Sequence, residues 1–228
     1  MIYPLAARRG MITPLARGIH RAASGWWLAG GISAANCVAA YQAKGAASYA
    51  ASKVNLANPG TYNAADGEAY PTWDDTNGWK FVSASQQYLK TGITPNNMNW
   101  SAIIRLSNVP VGDQWAFGYY TTQGFGLEPR FKPSAIISTC YYNGGLVYSY
   151  ADRESGIWAI AKNQGYYNGS PDGTTWSQST HTAGEVWIGD VSGIYRRYFG
   201  GYIQAFALYN ATITAEQVSA LTTAINAL

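Results

Sequence analysis

The chain has 228 residues, of which 47% are hydrophobic and only 12% are charged. A chain of this length buries a sizeable core without needing a metal or a disulfide, and no apolar run is long enough to cross a membrane. Many aromatic residues and few charges are typical of a β-sandwich whose turns fall at Gly and Asn.

The net charge of +3 is unevenly distributed along the chain. No Asp or Glu precedes Asp66, so residues 1–65 carry six basic side chains and a charge of +6. The remaining residues have nine basic and twelve acidic side chains, which gives −3. A basic N-terminal segment followed by an acidic remainder predicts that the N-terminal segment contacts an acidic partner. The alternative is that this segment is a solvated tail.

The front of the chain contains an imperfect repeat, MIYPLAARRG followed by MITPLARG. Pro fixes φ and Gly ends each unit, so residues 1–25 are predicted to form an extended basic arm rather than a helix. The arm is expected to lay its leucines in a groove of a partner chain and its arginines against carboxylates. A chance match at a vestigial second start, Met11, is the alternative. The predicted partner-binding residues are Leu5, Arg8, Arg9, Leu15 and Arg17.

Residues 26–228 are predicted to form one domain made almost entirely of strands. Apolar runs recur about every ten residues, with Gly, Asn or Pro between them, which indicates a sandwich. A turn-rich loop at residues 51–78 follows the first strand. The predicted strands are CVAAYQA, GWKFVSA, QYLKTGI, NWSAIIRLSNV, QWAFGYYTT, SAIISTCYYNG, GLVYSYAD, GIWAIAKNQGYYNGS, EVWIGDV and GYIQAFALYN.

Two of these strands carry enough pattern for their faces to be predicted. In NWSAIIRLSNV, one face is expected to hold Trp100, Ala102, Ile104 and Leu106. In the closing strand, one face is expected to hold Ile203, Ala205 and Ala207, and the other Phe206 and Leu208.

A helix is predicted after the closing strand. Thr214 offers a hydroxyl cap, and Gln217 stands three residues later, which is the capping-box spacing. Apolar residues at spacings of three and four form one stripe, which is expected to pack near the edge of a sheet. The stripe consists of Val218, Leu221, Ile225 and Leu228.

The C-terminal part of the chain resembles a known family. The segments WAIAKNQGYYNGSPDG, VWIGD and RYFGGYIQAFALYNATITAEQVSAL resemble the tail of the laminin-G-like, concanavalin A-like jelly roll. In that family a strand ends in a Tyr-x-Asn-Gly hairpin, a later strand ends in Ile-Gly, and a Phe-x-Gly-x-Ile strand leads into a short helix. The resemblance covers residues 33–228 and implies an all-β sandwich of two antiparallel sheets with a short C-terminal helix.

The segment YLKTGITP and the aromatic-rich middle are similar to domains attached to bacteriophage structural proteins. This similarity implies a non-enzymatic structural or adhesion protein of a phage particle, a capsid decoration or tail-associated protein at the virion surface. Its expected partners are other copies of itself, other virion proteins through the arm, and glycans. The first alternative is a secreted or cell-surface carbohydrate-binding module, and the second is a polysaccharide-degrading enzyme.

Catalytic chemistry has little support in the sequence. Family members that cut polysaccharides place acids as Glu-x-Asp-x-x-Glu on one strand, and this chain lacks that motif. The nearest approaches, DGE at residues 66–68 and DRE at residues 152–154, fall in turn-like sequence and are predicted to be solvated. His20 and His181 are expected at the surface, so the chain is predicted not to be an enzyme.

No cofactor is predicted. Cys37 and Cys140 lie far apart and are expected to be buried free thiols, with one disulfide as the alternative. Asp190 is a weak candidate for a calcium ligand, because related domains place acids at loop rims, but no other ligand is visible. The arginines are few and the body is acidic, so neither nucleic acid nor a membrane is an expected partner.

Glycan binding is predicted from aromatic residues in the middle of the chain. On QWAFGYYTT, the rings of Trp115, Phe117 and Tyr119 are expected on one face and Tyr120 on the other. If such a set lines an open face, it forms a platform on which sugar rings stack. Packing in the core or in an interface is the alternative. The predicted glycan-binding residues are Trp115, Tyr119, Tyr141 and Tyr148.

Overall fold

Two stacked β-sheets, a one-turn helix and a longer C-terminal helix make up most of the part of the chain that the structure describes. The computed structural model describes residues 25–121, 123–132, 135–175, 177, 182–193 and 195–228. Residues 1–24 lie outside these ranges, so the predicted arm and its partner-binding residues stay a prediction. His20 and His181 also lie outside them.

The described elements are strand-rich, as the sequence predicts. Short 3₁₀ turns lie at Trp26–Leu28, Ala34–Asn36 and Ser83–Ser85. The helices are α1 (Tyr49–Ser52) and α2 (Ala215–Asn226). The strands are β1 (Cys37–Gln42), β2 (Ala65–Asp66), β3 (Thr72–Asp74), β4 (Gly78–Phe81), β5 (Leu89–Lys90), β6 (Ser101–Ser107), β7 (Phe117–Tyr120), β8 (Phe125–Phe131), β9 (Ser138–Asn143), β10 (Leu146–Ser149), β11 (Gly156–Ala161), β12 (Gln164–Tyr167), β13 (Ser170–Asp172), β14 (Trp187–Ile188), β15 (Ser192–Gly193) and β16 (Gly201–Tyr209).

The strands pair into two sheets, each of eight strands within the described ranges. Sheet A has the order β13-β12-β11-β6-β16-β4-β3, with β1 beside β16. Sheet B has the order β10-β9-β8-β7-β14-β5-β2, with β15 beside β7. Paired strands run antiparallel, apart from β15 and β7, which run parallel. Two such sheets stacked face to face confirm the predicted all-β, jelly-roll sandwich.

The main core fills the space between the two sheets. The β6 residues and the Trp that precedes them face it as predicted: Trp100, Ala102, Ile104 and Leu106 are all buried there. Sheet B contributes alternate residues of β7 and β8, and the ring of Phe117 lies 4.8 Å from that of Phe206 in sheet A. Aromatic rings therefore join the two sheets across the core.

The closing strand β16 departs from its predicted alternation. Ile203 faces the main core with Phe206, whereas Ala205 faces the other side of sheet A. The pairing of β16 with β6 shifts register between Ile203 and Ala205, because a β-bulge at Gln204 inserts an extra residue. One inserted residue exchanges the two faces, so the predicted face of Ile203 was wrong.

Helix α2 covers the outer face of sheet A. Thr214 Oγ accepts a hydrogen bond from Gln217 N at 3.3 Å, and Gln217 Oε1 accepts one from Thr214 N at 2.9 Å, which confirms the capping box. The helix packs on the outer face of sheet A and contacts β13, the strand at one end of that sheet, so it lies near an edge as predicted. The predicted stripe makes the contact: Val218, Leu221 and Ile225 are fully buried, and Leu228 is partly buried.

The two cysteines are free and buried, so they form no disulfide. Burial raises the pKa of the Cys37 thiol to about 12, and burial also raises the pKa of Cys140. Both thiols therefore stay protonated and unreactive at neutral pH. Of the helices in the described ranges, none combines the length and apolarity needed to span a membrane.

Candidate functional site

No helix in the described part of the chain packs on the outer face of sheet B, in contrast to that of sheet A. The helices of the described ranges pack elsewhere, α2 on sheet A and α1 beside β3. Residues that alternate with the core residues of sheet B point outwards on this face. They include Lys90, Tyr120, Tyr142, Tyr148 and Trp187. An open sheet face rich in aromatic side chains is a candidate binding surface.

Strand β8 lies between β9 and β7 in sheet B, and the sequence pattern does not predict it. Its sequence, FGLEPRF, contains Gly126 and Pro129, both of which weaken a strand pattern. Pro129 is accommodated because the pairing of β8 with β9 shifts register between Glu128 and Phe131.

Trp115 lies flat over a floor of two glycines. Gly118 of β7 pairs with Gly126 of β8 at the centre of sheet B. A Cβ atom on Gly118 would lie 2.9 Å from Trp115 Cε3, and a Cβ atom on Gly126 would lie 2.7 Å from Trp115 Cζ3. A side chain at either position would displace the indole, so the two glycines make room for it.

A backbone irregularity turns Trp115 away from the core. Ala116 N donates a hydrogen bond to Leu127 O at 2.9 Å, and Phe117 is also paired with Leu127. Two consecutive residues thus oppose one, as in a β-bulge, and both Ala116 and Phe117 face the core. Trp115 was predicted to share a face with Phe117; that prediction was wrong, because Trp115 lies beside Tyr120 on the outer face.

Aromatic rings form the walls of a groove around Trp115. Trp115 stacks on Tyr142 with ring centroids 4.4 Å apart, and Tyr120 lies 5.8 Å from Trp115. Tyr195, which is exposed, lies 6.4 Å from Tyr120. The groove has a volume of about 180 Å³. A second hollow of about 300 Å³ continues it past Tyr120 and Tyr142 to Leu146.

Three ionisable side chains also line the groove. Arg197 Nε donates a hydrogen bond to Asp113 Oδ2 at 2.6 Å. Glu128 is buried and accepts a hydrogen bond from the Tyr142 hydroxyl at 2.6 Å. Burial raises the pKa of Glu128 to about 8, and the Asp113 carboxylate adds to the rise against the effect of Tyr142. Glu128 is therefore largely protonated at neutral pH, and the three groups together carry no net charge.

The protein should lose stability as the pH rises from about 4.5 to about 8. The Glu128 carboxyl ionises near pH 4.5 in the unfolded chain, whereas burial keeps it protonated up to about pH 8 in the folded protein. Between these values the folded state binds one more proton than the unfolded state, so the free energy of unfolding falls with rising pH. Chemical denaturation at a series of pH values measures this fall.

Glu128→Gln provides the matched comparison, because an amide has the shape of the protonated carboxyl and stays neutral. Its stability should vary less over the same pH range and should exceed that of the wild type above about pH 8. Parallel pH profiles for the two proteins would mean that Glu128 ionises normally in the folded state.

A second cluster of aromatic rings lies beside the groove, and an arginine side chain packs against it. Tyr88 and Trp187 stack with centroids 4.5 Å apart, and the Arg196 guanidinium lies 4.6 Å and 4.7 Å from the two rings. Asp190 accepts hydrogen bonds from Arg196 Nε at 2.5 Å and from Arg197 N at 2.8 Å. The carboxylate is therefore occupied within the protein, which gives no support to Asp190 as a calcium ligand. Across the described ranges, no three His, Cys, Asp or Glu side chains converge as a metal site would require.

Two of the four predicted glycan-binding residues lie in the core. Tyr119 and Tyr141 are fully buried between the sheets, so neither ring is open to a ligand. Their aromatic character indicated stacking, but it did not tell which face of the sheet they occupy. Trp115 lines the groove but is only 4% exposed, whereas Tyr148 lies on the outer face of β10 and is 38% exposed.

The acidic pairs weighed in the sequence lie outside the groove. Asp66, which is in β2 rather than in a loop, accepts hydrogen bonds from Lys53 at 2.9 Å and from Tyr49 at 2.5 Å. Asp152 is in a loop, as predicted, and accepts a hydrogen bond from Arg130 at 2.7 Å. Both carboxylates therefore form local ion pairs on the surface.

Most residues of the groove are not predicted from the sequence. One signal was available: Glu128 is an acid that follows three non-polar residues in strand β8, and a buried acid at such a position often marks a site. The other residues carry no spacing pattern, since they come from three strands and from two connecting segments. The missed residues are Asp113, Tyr120, Glu128, Tyr142, Tyr195 and Arg197.

No protein-family model matches the chain, and no curated protein matches it. Among solved structures, the chain is similar to domain 4 of AbnA, a GH43 extracellular arabinanase from Geobacillus stearothermophilus, solved in complex with arabinotriose. The two share 13% sequence identity over 82% of this chain and 98% of that chain, with a TM-score of 0.53.

The chain is also similar to a structure of botulinum neurotoxin type C, whose cell entry depends upon interaction with two ganglioside molecules. The identity is 8% and the TM-score is 0.53, over 84% of this chain and 52% of that chain, so this chain spans about half of that structure. Similarity at these identities shows a shared β-sandwich fold. The association with bacteriophage proteins stays a prediction from the sequence.

Proposed function

We propose that the protein binds an uncharged glycan in the groove on the outer face of sheet B. The observation that carries the proposal is a groove lined by the partly exposed ring of Tyr142, which stacks on the buried Trp115, and by Tyr120 and the exposed Tyr195. Sugar rings present apolar C–H faces to aromatic rings and hydroxyls to polar groups, and this groove offers both. The two similar folds are compatible with a glycan ligand, but the proposal rests on the groove residues.

The charges of the groove favour neutral sugars over acidic ones. The Arg197 guanidinium is paired with Asp113, so the pair has no net charge that would attract a ligand carboxylate. Glu128 is protonated at neutral pH and adds no positive charge. An acidic sugar would lose its hydration in this groove without gaining an unpaired cation in return.

Tyr120→Ala should lower the affinity for a neutral oligosaccharide by about tenfold or more, because Tyr120 borders both hollows of the groove. An array of neutral and acidic oligosaccharides identifies a ligand, and isothermal titration calorimetry then measures its affinity. Tyr70→Ala is the matched control, since Tyr70 is exposed beside Tyr49, away from the groove. An array without a hit, or equal affinities for Tyr120→Ala and the wild type, would contradict the proposal.

Binding without hydrolysis is part of the proposal. Glycosidases hold their two carboxyl groups about 5–5.5 Å apart when they retain configuration and about 6.5–9.5 Å apart when they invert it. Both acids of this groove are instead engaged within the protein: Asp113 is paired with Arg197, and Glu128 accepts a hydrogen bond from the Tyr142 hydroxyl. The bound oligosaccharide should therefore be recovered unshortened from the titration.

A structural or adhesion role at a virion surface, with the arm joining the domain to its assembly, remains our prediction from the sequence. The glycan groove fits an adhesion role of this kind, because it lies on the jelly roll and not on the arm. A secreted or cell-surface carbohydrate-binding module would use the same groove. Mass spectrometry of purified particles distinguishes the two settings.

A further inference from the structure

The edge strand β10 leaves a row of apolar side chains in solvent. Leu146, Tyr148 and Tyr150 are 38%, 38% and 71% exposed, whereas Val147 between them is buried in the main core. Leu146 and Tyr148 are two residues apart on the strand and share the outer face of sheet B, and Tyr150, which follows the end of the strand, stacks on Tyr148. The other face of β10 already packs in the core, so packing within this domain does not account for the exposed apolar side chains. Exposed apolar side chains that lie together often mark a binding surface.

The row is continuous with the groove. Leu146 pairs with Tyr142 and also lines the hollow beside it, and Tyr148 pairs with Cys140 on the same face. The rings of Tyr148 and Tyr150 are stacked nearly parallel, with centroids 6.1 Å apart and an angle of 10° between their planes. The rings of Tyr148 and Tyr150 therefore lie next to the groove, with Leu146 between the groove and the rings.

Pairing of β10 with a strand of a second copy is disfavoured by its surroundings. A Cβ atom on Gly173 would lie 3.2 Å from the Tyr148 carbonyl oxygen, so the segment after β13 lies close to the backbone of β10. The side chain of Ser149 is also directed inwards, where it donates a hydrogen bond to Asp172 at 2.5 Å. The exposed apolar surface at this edge is only one row of side chains wide. A row of this width fits a linear ligand better than the broad surface of a protein partner.

We infer that Tyr148 and Tyr150 form a second subsite, which holds further units of the same linear, uncharged glycan chain that occupies the groove. This inference rests on the proposed function. Each ring offers its face and hydroxyl to a sugar unit, and Leu146 bridges the groove and the subsite. The protein would therefore recognise an internal stretch of a polysaccharide rather than a single terminal sugar.

Titration of a length series of the neutral oligosaccharide found on the array tests the subsite. The wild-type affinity should keep rising beyond the shortest oligomer that fills the groove. The double variant Tyr148→Ala, Tyr150→Ala should bind that shortest oligomer as the wild type does and should bind the long oligomers about tenfold less tightly. Tyr70→Ala should follow the wild type at every length.

The outcomes separate the subsite from the groove. Equal affinities of the double variant and the wild type for long oligomers would overturn the subsite while leaving the groove in place. A loss that is the same for short and long oligomers would also overturn it, as would a change in oligomeric state on sedimentation, which would assign these tyrosines to a contact with a second copy. If the wild type binds no oligomer of any length, the proposed function itself fails.

Discussion

Asp172→Asn should lower the free energy of unfolding by about 3–5 kcal/mol, because the change breaks one side of a buried ion pair. The Asp172 carboxylate accepts two hydrogen bonds from Arg153, and it accepts others from the Tyr141 hydroxyl and the Ser149 hydroxyl, each at 2.5 Å. These residues join β13 of sheet A to β9 and β10 of sheet B. The amide would leave Arg153 unpaired where it stacks on Tyr167, at 4.1 Å.

Asp152→Asn is the matched control for this prediction. Asp152 is 53% exposed in its pair with Arg130, and exposed pairs contribute about 0–1 kcal/mol. Guanidinium unfolding followed by tryptophan fluorescence measures both variants. Equal losses for Asp172→Asn and Asp152→Asn would show that the buried cluster contributes no more than a surface pair.

The effect of Asp172 should also depend on pH. Burial opposes the ionisation of Asp172, but the hydrogen bonds from Arg153, Ser149 and Tyr141 outweigh it and lower the pKa of the carboxyl below 3.8. The stability that this carboxylate contributes is therefore present above pH 3.8 and is lost as the pH falls further. The wild type and Asp172→Asn should approach each other in stability in strong acid.

Leu221→Ala should lower the free energy of unfolding by roughly 2–4 kcal/mol. Leu221 is fully buried between α2 and sheet A, beside Val218 and Ile225. Truncation removes apolar contacts and leaves a cavity against a sheet that cannot collapse into it. Chemical denaturation of the variant measures the loss.

Thr223→Ala is the control for this helix, because Thr223 lies on its exposed face. Its effect should stay within about 0.5 kcal/mol, which is usual for surface changes. A loss as small as this for Leu221→Ala would mean that the helix does not pack on the sheet through its apolar stripe.

The sequence alone determined the fold class and much of its local structure. Strict alternation from Trp100 to Leu106 placed one face of β6 in the main core. The spacing of Thr214 and Gln217 gave the start of α2, and the apolar stripe gave its buried face. These features depend on residues a few positions apart, and such local patterns are what periodicity and capping preferences report.

The faces of two other strands were decided by the tertiary structure. The bulges at Gln204 and at Ala116 each insert one residue and exchange the faces beyond them. Pro129 and Gly126 concealed β8, which is held in the sheet by its neighbours on both sides. A bulge is fixed by which backbone groups pair between strands, and the sequence of a single strand does not encode that pairing.

The candidate site shows the same division. The sequence indicated an aromatic binding face and named Trp115 and Tyr148 on it, but it also named Tyr119 and Tyr141, which the sheet directs into the core. Glu128 and Asp113 meet only because β8 runs beside the segment that leads into β7. The composition determined that aromatic side chains would be available for binding. Strand register decided which of these aromatic side chains face solvent. Burial in the folded protein decided that the Glu128 carboxyl stays protonated.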